Sequence, residues 1–432
     1  MTTRESYSDA IKFLYDLQLF GTALGLERAT KLAKLAGDPQ RHLRFIHVAG
    51  TNGKGSTCAM LESIYRHAGL RVGLFTSPHL VAFGERIQVN REMISEADIV
   101  RLVGEMKALL GQFGAEEHPT FFEVVTVMAL KYFAEQKCDL VIWETGLGGR
   151  LDATNIVTPL VSVITNIQFD HQAWLGDTLA KIAAEKAGII KARVPVVTAV
   201  DEREAFRVLF EVARQNEAPF WLITWTQSEF PPLRGLELPL LGEHQRLNAA
   251  VATYAVRAVG NRIAVSDDDI RAGLLAVRWP GRLQLIERAG GKKFLLDGAH
   301  NIGGAESLRM ALQTYFATQS PTLVLGMLRD KDCREVCNIL VPLAKRILLA
   351  PVRSQRTAAA NELAKMCREA NASAEVIETN SLAEALTLAE PDEFVVIAGS
   401  LYLIGEAMEM FKLGPSKSSD ERGLNEWGTR GN

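Results

Sequence analysis

The sequence predicts an α/β protein built as two consecutive sheet-and-helix units. Three observations predict it. Short, continuously apolar runs recur near 44–49, 71–76, 139–144, 161–167 and 195–200, as buried parallel strands do. Segments of helical periodicity separate them, such as Phe122–Ala134 and Leu179–Ile190. The alternation then restarts after a glycine- and charge-rich piece, Glu287-Arg-Ala-Gly-Gly-Lys-Lys293.

Taken in order, the first run, Phe45–Ala49, leads into Gly50-Thr-Asn-Gly-Lys-Gly-Ser56-Thr57 and a helix from about Cys58 to His67. Strand, glycine-rich loop, lysine and helix start form a phosphate cradle. Glycines let the backbone approach an anion, the helix N-terminus adds positive potential, and Lys54 supplies a mobile cation. The unit is therefore P-loop-type, although its spacing departs from the common G-x-x-x-x-G-K-[ST] pattern. A helix-rich block at 243–277 closes it. In the second unit, Lys293–Leu296 reads as a strand, Ala305–Tyr315 as a helix and Thr322–Met327 as a strand. The series continues to Phe394–Ala398 and a helix near 401–412. This organisation predicts domains at 1–286 and 294–412, a linker at 287–293, and a disordered polar tail at 413–432.

The 432 residues are 47% hydrophobic and 23% charged, an ordinary globular balance with ample material for more than one core. A net charge of -3 and a pI near 6.3 give no sign of a nucleic-acid or membrane surface. The N-terminal Met-Thr-Thr-Arg-Glu-Ser lacks a signal-peptide core, and no apolar run has the length of a membrane span. Five scattered cysteines suggest neither a disulfide framework nor a zinc site, and are read as reduced residues of a cytoplasmic protein.

Several polar residues sit where α/β sheets place ligands, at the carboxyl ends of strands. Glu144 ends the run Val141-Ile-Trp-Glu144 and precedes Gly146-Leu-Gly-Gly149; with Ser56 it could offer magnesium two hard oxygen ligands. Asp170-His171 follows the run at 161–167, and Asp297-Gly-Ala-His300 follows Lys293–Leu296. Asn248 and Arg282 read on their own as a helix-start residue and a turn residue, and Lys186 as an ordinary helix lysine.

In combination these segments resemble the folylpolyglutamate synthase family of the Mur ligase superfamily, including its bifunctional dihydrofolate synthase branch. The resemblance spans about residues 7–412. It is carried by Gly50–Ser56, Phe75-Thr-Ser-Pro-His-Leu80 with Glu85-Arg-Ile87, Glu144–Asn155, Asp170-His171, Ala184–Ile189, His244-Gln245 with Asn248-Ala249, Gly281-Arg282, Asp297–Asn301 and Gly399-Ser-Leu-Tyr402. The unusual phosphate loop is that family's own form.

The resemblance implies a smaller, Rossmann-like C-terminal domain, and ATP-dependent joining of L-glutamate to a folate or dihydropteroate carboxylate through an acyl phosphate. It implies that Asn52, Gly53, Lys54, Gly55, Ser56, Thr57, Asn248, Arg282 and Asp297 contact ATP. Ser56, Glu144, His171 and a carbamylated Lys186 would hold two Mg2+ ions. Lys54, Glu144, His171, Lys186 and Arg282 would serve the chemistry. Gly25, Leu26, Glu27, Arg28, Thr120, Phe121, Phe122, Glu123, Leu151, Asp152 and Ala153 would line the pterin site, with His300 and Ser400 near incoming glutamate. A monomer is implied as well. The shared core leaves open a folylpolyglutamate synthase without the dihydropteroate reaction, a Mur-type amino-acid ligase, and, in another class, a nucleotide-dependent switch.

Overall fold

The structure, a computed structural model, describes residues 6–21, 25–114, 117–415 and 421–426. In the described residues the first sheet comprises β1 (Phe45–Ala49), β2 (Val72–Phe75), β3 (Ile87–Val89), β4 (Glu92–Met93), β5 (Leu140–Glu144), β6 (Val161–Ile164), β7 (Val196–Thr198) and β8 (Phe220–Leu222). Their order is β4-β3-β2-β5-β1-β6-β7-β8. All pairings are parallel except those of the β3–β4 edge. The second sheet comprises β9 (Gln284–Glu287), β10 (Lys293–Leu296), β11 (Thr322–Leu325), β12 (Arg346–Leu349), β13 (Glu375–Glu378) and β14 (Phe394–Ala398), ordered β13-β12-β11-β14-β10-β9. Only β9 runs antiparallel there.

β1 is central because every residue of Phe-Ile-His-Val-Ala is buried between helices on both faces. One face packs Phe45, Phe75, Phe133 and Trp143; the other packs Ile46, Val48, Met60, Leu61 and Val161. Each such side chain contributes about 1.5–3 kcal/mol of burial. The helix Lys54–His67 is buried from Ser56 through Tyr65, wedged beside Asp267–Leu275. Close approach is possible because Gly273 lacks a side chain: a Cβ there would collide with the Ile64 backbone, and Ser63 Oγ donates to Gly273 O at 2.7 Å.

Register sets the working edge. Val48 pairs with Glu144 and Ala49 with Ile164, so the loops after β1, β5 and β6 emerge side by side. In the second sheet Leu296 pairs with Ile397, which puts Asp297 and Gly399-Ser400 at one carboxyl edge.

Two sequence expectations change. The expected linker 287–293 is the turn of the β9–β10 hairpin, with Glu287 opposite Lys293, so the chain enters the second sheet at Gln284. In the expected disordered tail, residues 421–426 instead carry a short 3-10 helix, Arg422–Asn425, with Leu424 inserted in the first core. Residues 416–420 and 427–432 lie outside the described residues. The five cysteines are free and buried.

β1 also buries His47, whose Nε2 lies 2.9 Å from Thr154 Oγ1. Thr154 Oγ1 in turn donates to Asp152 Oδ1, so the ring carries its proton on Nε2 and donates. Burial, helped by Lys191, pushes the imidazole pKa down to about 3. The unfolded chain then binds the extra proton below about pH 6.5, and the folded chain only near pH 3. This group's contribution to stability is therefore complete above pH 6.5 and falls by up to about 1.4 kcal/mol per pH unit as pH drops toward 3. Thermal unfolding of His47→Gln should be less acid-sensitive than wild type across that window. Parallel curves would remove the histidine from the acid response.

Candidate active site

One cleft between the two sheets gathers the loops after β1, β5, β6, β10 and β14. Its first wall is the phosphate loop. Gly53 has a φ of 81°, and a Cβ on it would sit 2.6 Å from Asn248 Oδ1, so only glycine fits beneath that side chain. Asn166 braces the loop, accepting from Thr51 N at 3.0 Å through its carbonyl and from Asn52 N at 2.8 Å through its amide oxygen. Lys54 Nζ lies back over the loop, donating to Gly50 O and Thr51 O at 3.2 and 3.3 Å. Ser56 Oγ faces Gln245 Nε2 at 3.4 Å, and Asn248 Nδ2 donates to Gln245 Oε1.

Glu144 stands at the end of β5, 3% exposed, accepting from Ser77 N at 3.0 Å. Burial raises its carboxyl pKa, against the pull of Lys54, the Ser77 N–H and Arg282. Lys186 is buried on the helix Leu179–Ala187 and donates to Gly50 O at 2.7 Å. Burial, with Lys54 adding like-charge repulsion, pushes this amine down to about 7. The His171 ring is likewise pushed down to about 3, mainly by burial, and stays neutral.

The second sheet supplies the opposite wall. Asp297 accepts from Leu283 N at 2.8 Å and Ala299 N at 2.9 Å, and so shapes the turn after β10. Arg282, half-buried, lies near it and near Glu144, whose charges oppose the desolvation that lowers the guanidinium pKa. His300 Nδ1 meets Gly298 O at 2.7 Å, and Ser400 caps the helix Leu401–Met410.

The two walls are stitched together at Asp170. Its carboxylate accepts from Lys331 Nζ at 2.6 Å and from Asn301 Nδ2 at 2.9 Å, with His300 Nε2 at 3.5 Å. Burial alone would raise this carboxyl, but the His300 contact and the charges of His171, His300 and Lys331 hold it far below the usual carboxylate range. Asn52 and Asn301 exchange a second pair of bonds at 3.1 Å.

A second, largely apolar pocket adjoins the cleft. Gly25, Thr120, Phe121, Phe122, Glu123, Leu151, Asp152 and Ala153 line it. Asp152 is satisfied internally, its Oδ2 accepting from Gly146 N at 3.0 Å and Leu147 N at 2.8 Å, and burial raises its pKa. Glu123 closes the cap of the helix Phe121–Glu135 and pairs with Arg28 at 3.1 Å.

Most expected residues therefore converge. Asn52, Gly53, Lys54, Gly55, Ser56, Glu144, His171, Lys186, Asn248, Arg282, Asp297, His300 and Ser400 line the cleft. Four sit one step behind. Thr57 is fully buried in the first turn of its helix, bonded N–H to Gly53 O. Leu26, Glu27 and Arg28 begin the helix behind the apolar pocket, where Arg28 braces Glu123. Sequence reasoning missed Lys331 and Arg356, which also line the cleft. Lys331 follows a strand end, the signal that found Glu144, but lies among the charges of Arg329-Asp-Lys-Asp332.

Comparison with known proteins matches both units of the fold. Residues 48–256 match the Mur ligase middle domain, and residues 281–401 the Mur ligase glutamate ligase domain. The chain is 37% identical over 429 residues to the dihydrofolate synthase/folylpolyglutamate synthase of Bacillus subtilis, covering 94% of this chain and 99% of that one. Among solved structures, Escherichia coli FolC in complex with DHPP and ADP superposes with a TM-score of 0.84 at 31% identity, covering 94% of this chain and 98% of that one. Mycobacterium tuberculosis folylpolyglutamate synthase complexed with ADP gives a TM-score of 0.87 at 30% identity, covering 95% of this chain and all 100% of that one.

Proposed function

The chain belongs to the folylpolyglutamate synthase family of Mur ligases, and from that premise we propose that it joins L-glutamate to folates, and to dihydropteroate, at the expense of ATP. The observation that carries this reading is the cleft in which Lys54, Glu144 and Lys186 from one sheet face Asp297 and His300 from the other, beside a largely apolar pocket.

A carboxylate is a poor electrophile, and phosphorylation by ATP gives it a leaving group. The glutamate amine then attacks the acyl phosphate, forming an amide and releasing phosphate. Lys54 swings from Gly50 O and Thr51 O toward the transferring phosphate, and Arg282 offsets the charge from the far wall. The paired walls exclude water, which would hydrolyse the acyl phosphate. Asn248 and Asp297 border the nucleotide, and His300 and Ser400 the incoming glutamate.

The donor set fits magnesium. Ser56 and Glu144 offer hard oxygens, and a cation would relieve the burial that disfavours the Glu144 carboxylate. Ser56 with Glu144 would hold one ion, and Glu144 with neutral His171 and carbamylated Lys186 a second. Bound there, the metal would neutralise phosphate charge and polarise the transferred group. Carbamylation requires a neutral amine, which Lys186 supplies near pH 7 because burial lowers its pKa. The amine nitrogen bonds to the carbon of CO2 and releases one proton. No helix among the described residues is long and apolar enough to cross a membrane.

Purified protein with ATP, magnesium, bicarbonate and glutamate tests the reading. A mass gain of one glutamate on both tetrahydrofolate and dihydropteroate is expected, slower after bicarbonate is stripped. Gain on tetrahydrofolate alone leaves the narrower polyglutamylating enzyme. Gain on neither sinks the folate reading, and indifference to bicarbonate removes the carbamate.

A further inference from the structure

Residues 421–426 lie outside every motif that points to the reaction, yet they form part of both cavities. Asn425 lines the cleft and the apolar pocket, and Leu424 and Glu426 line the pocket. The cavities share Ser77, Pro78, Gly146, Leu147 and Asn425, so this segment stands at the neck through which an acceptor carboxylate must pass.

The segment is firmly seated. Glu421 accepts from Phe83 N at 2.6 Å, and its carbonyl meets His79 Nε2 at 2.9 Å. Asn425 takes a bond from Arg86 Nη2 at 2.6 Å, gives one to His79 O at 2.9 Å, and receives the Tyr402 hydroxyl on its carbonyl at 2.6 Å. Gln18 Nε2 donates to Gly423 O and Glu426 O. These contacts come from both units, so the strap is a wall rather than a loose end.

Glu426 is the exception within it. Its Oε2 lies 3.4 Å from Arg356 Nε, a residue of the cleft, while its Oε1 is buried without a hydrogen-bond partner among the described residues. A buried carboxylate oxygen without a donor carries a free-energy cost that a ligand N–H can remove. The pterin-bearing acceptor carries such N–H groups on its ring and on its aminobenzoyl nitrogen.

We propose that the strap 421–426 is part of the acceptor site, with the Glu426 carboxylate accepting a hydrogen bond from an N–H of the pterin-bearing substrate. The inference rests on the folate reading above. Arg356 holds the carboxylate from the cleft side, so acceptor and cleft share one ion pair.

The test uses the full chain carrying Glu426→Ala or Glu426→Gln, with KM measured separately for dihydropteroate and ATP and with dihydropteroate binding followed by fluorescence without ATP. Glu426→Ala should weaken dihydropteroate about tenfold in both assays, since a hydrogen bond to a charged group is worth roughly 1.5 kcal/mol, and leave the ATP KM within about twofold. Glu426→Gln, which keeps an acceptor oxygen in the same place, should recover part of the loss, and it decides the matter if the alanine variant does not fold. Unchanged dihydropteroate binding, or equal losses for dihydropteroate and ATP with a lowered unfolding midpoint, would overturn the assignment. A wild-type protein that ligates glutamate to nothing would instead overturn the reading beneath it.

Discussion

Glu144→Gln should lower ligase kcat/KM by about 10²–10³-fold while leaving the thermal unfolding midpoint level or raised. The two halves of this expectation have one cause. Glu144 is 3% exposed at a strand end, and burial makes its charged form costly in the folded protein. Glutamine keeps the side-chain shape and can still accept the Ser77 N–H at 3.0 Å, so folding loses nothing and sheds a desolvated charge. Catalysis loses the anionic oxygen that faces Lys54, Ser56 and Arg282 across the phosphate site. Steady-state kinetics beside calorimetry on the same sample decide it. Activity above a tenth of wild type would remove Glu144 from the phosphate chemistry, and a large drop in the midpoint would make it a structural residue.

The next largest effect is expected at the pair that joins the two walls. Lys331→Met should lower kcat/KM for glutamate by about 10²-fold, because it leaves the buried Asp170 carboxylate to Asn301 and His300, a cost toward the lower end of about 3–5 kcal/mol. Both side chains are under one-tenth exposed and meet at 2.6 Å. They belong to different sheets, so the cost falls on bringing the walls together more than on folding either core. Asp170→Asn should do the same. The exchanged double variant, Asp170→Lys with Lys331→Asp, separates two roles. Partial rescue marks a contact between walls, whereas no rescue means that Lys331 also meets the substrate. A single variant with wild-type kinetics would mean that the pair is idle in turnover.

How far the sequence could be read depended on what kind of force placed each residue. β1, β5, β10 and β14 were legible because a strand buried on both faces is nearly continuous in apolar residues, and the polar residues of the cleft then sit at or just past its end. Glu144, Asp297 and His300 were found this way. The two-residue strand β4 and the partly exposed β8 and β9 lack that signature. Glu287–Lys293 looked like a linker because hairpin turns and linkers draw on the same glycines and charges. Residues 421–426 were illegible for another reason. Six residues are too few for periodicity, and their order comes from partners far away in the chain, such as Arg86 and His79, 339 and 346 residues from Asn425. The resemblance named Arg28 and Thr57, and each stands behind the residues that line the cavities, Arg28 paired with Glu123 and Thr57 fully buried.

The buried thiols have a consequence for watching this protein in motion. All five cysteines are free and buried, so an alkylating reagent has no surface target and must wait for the fold to open. Cys58 sits in the helix that follows the phosphate loop, and burial, with Glu144 adding to it, pushes its thiol well above the ordinary value, so the closed form holds little thiolate and reacts only once the helix opens. Alkylation at Cys58 therefore acts as a clock for the local breathing of the nucleotide-binding helix. The other four thiols keep time for their own regions, and Cys337 and Cys367, 3.8 Å apart across two helices, report on the second core.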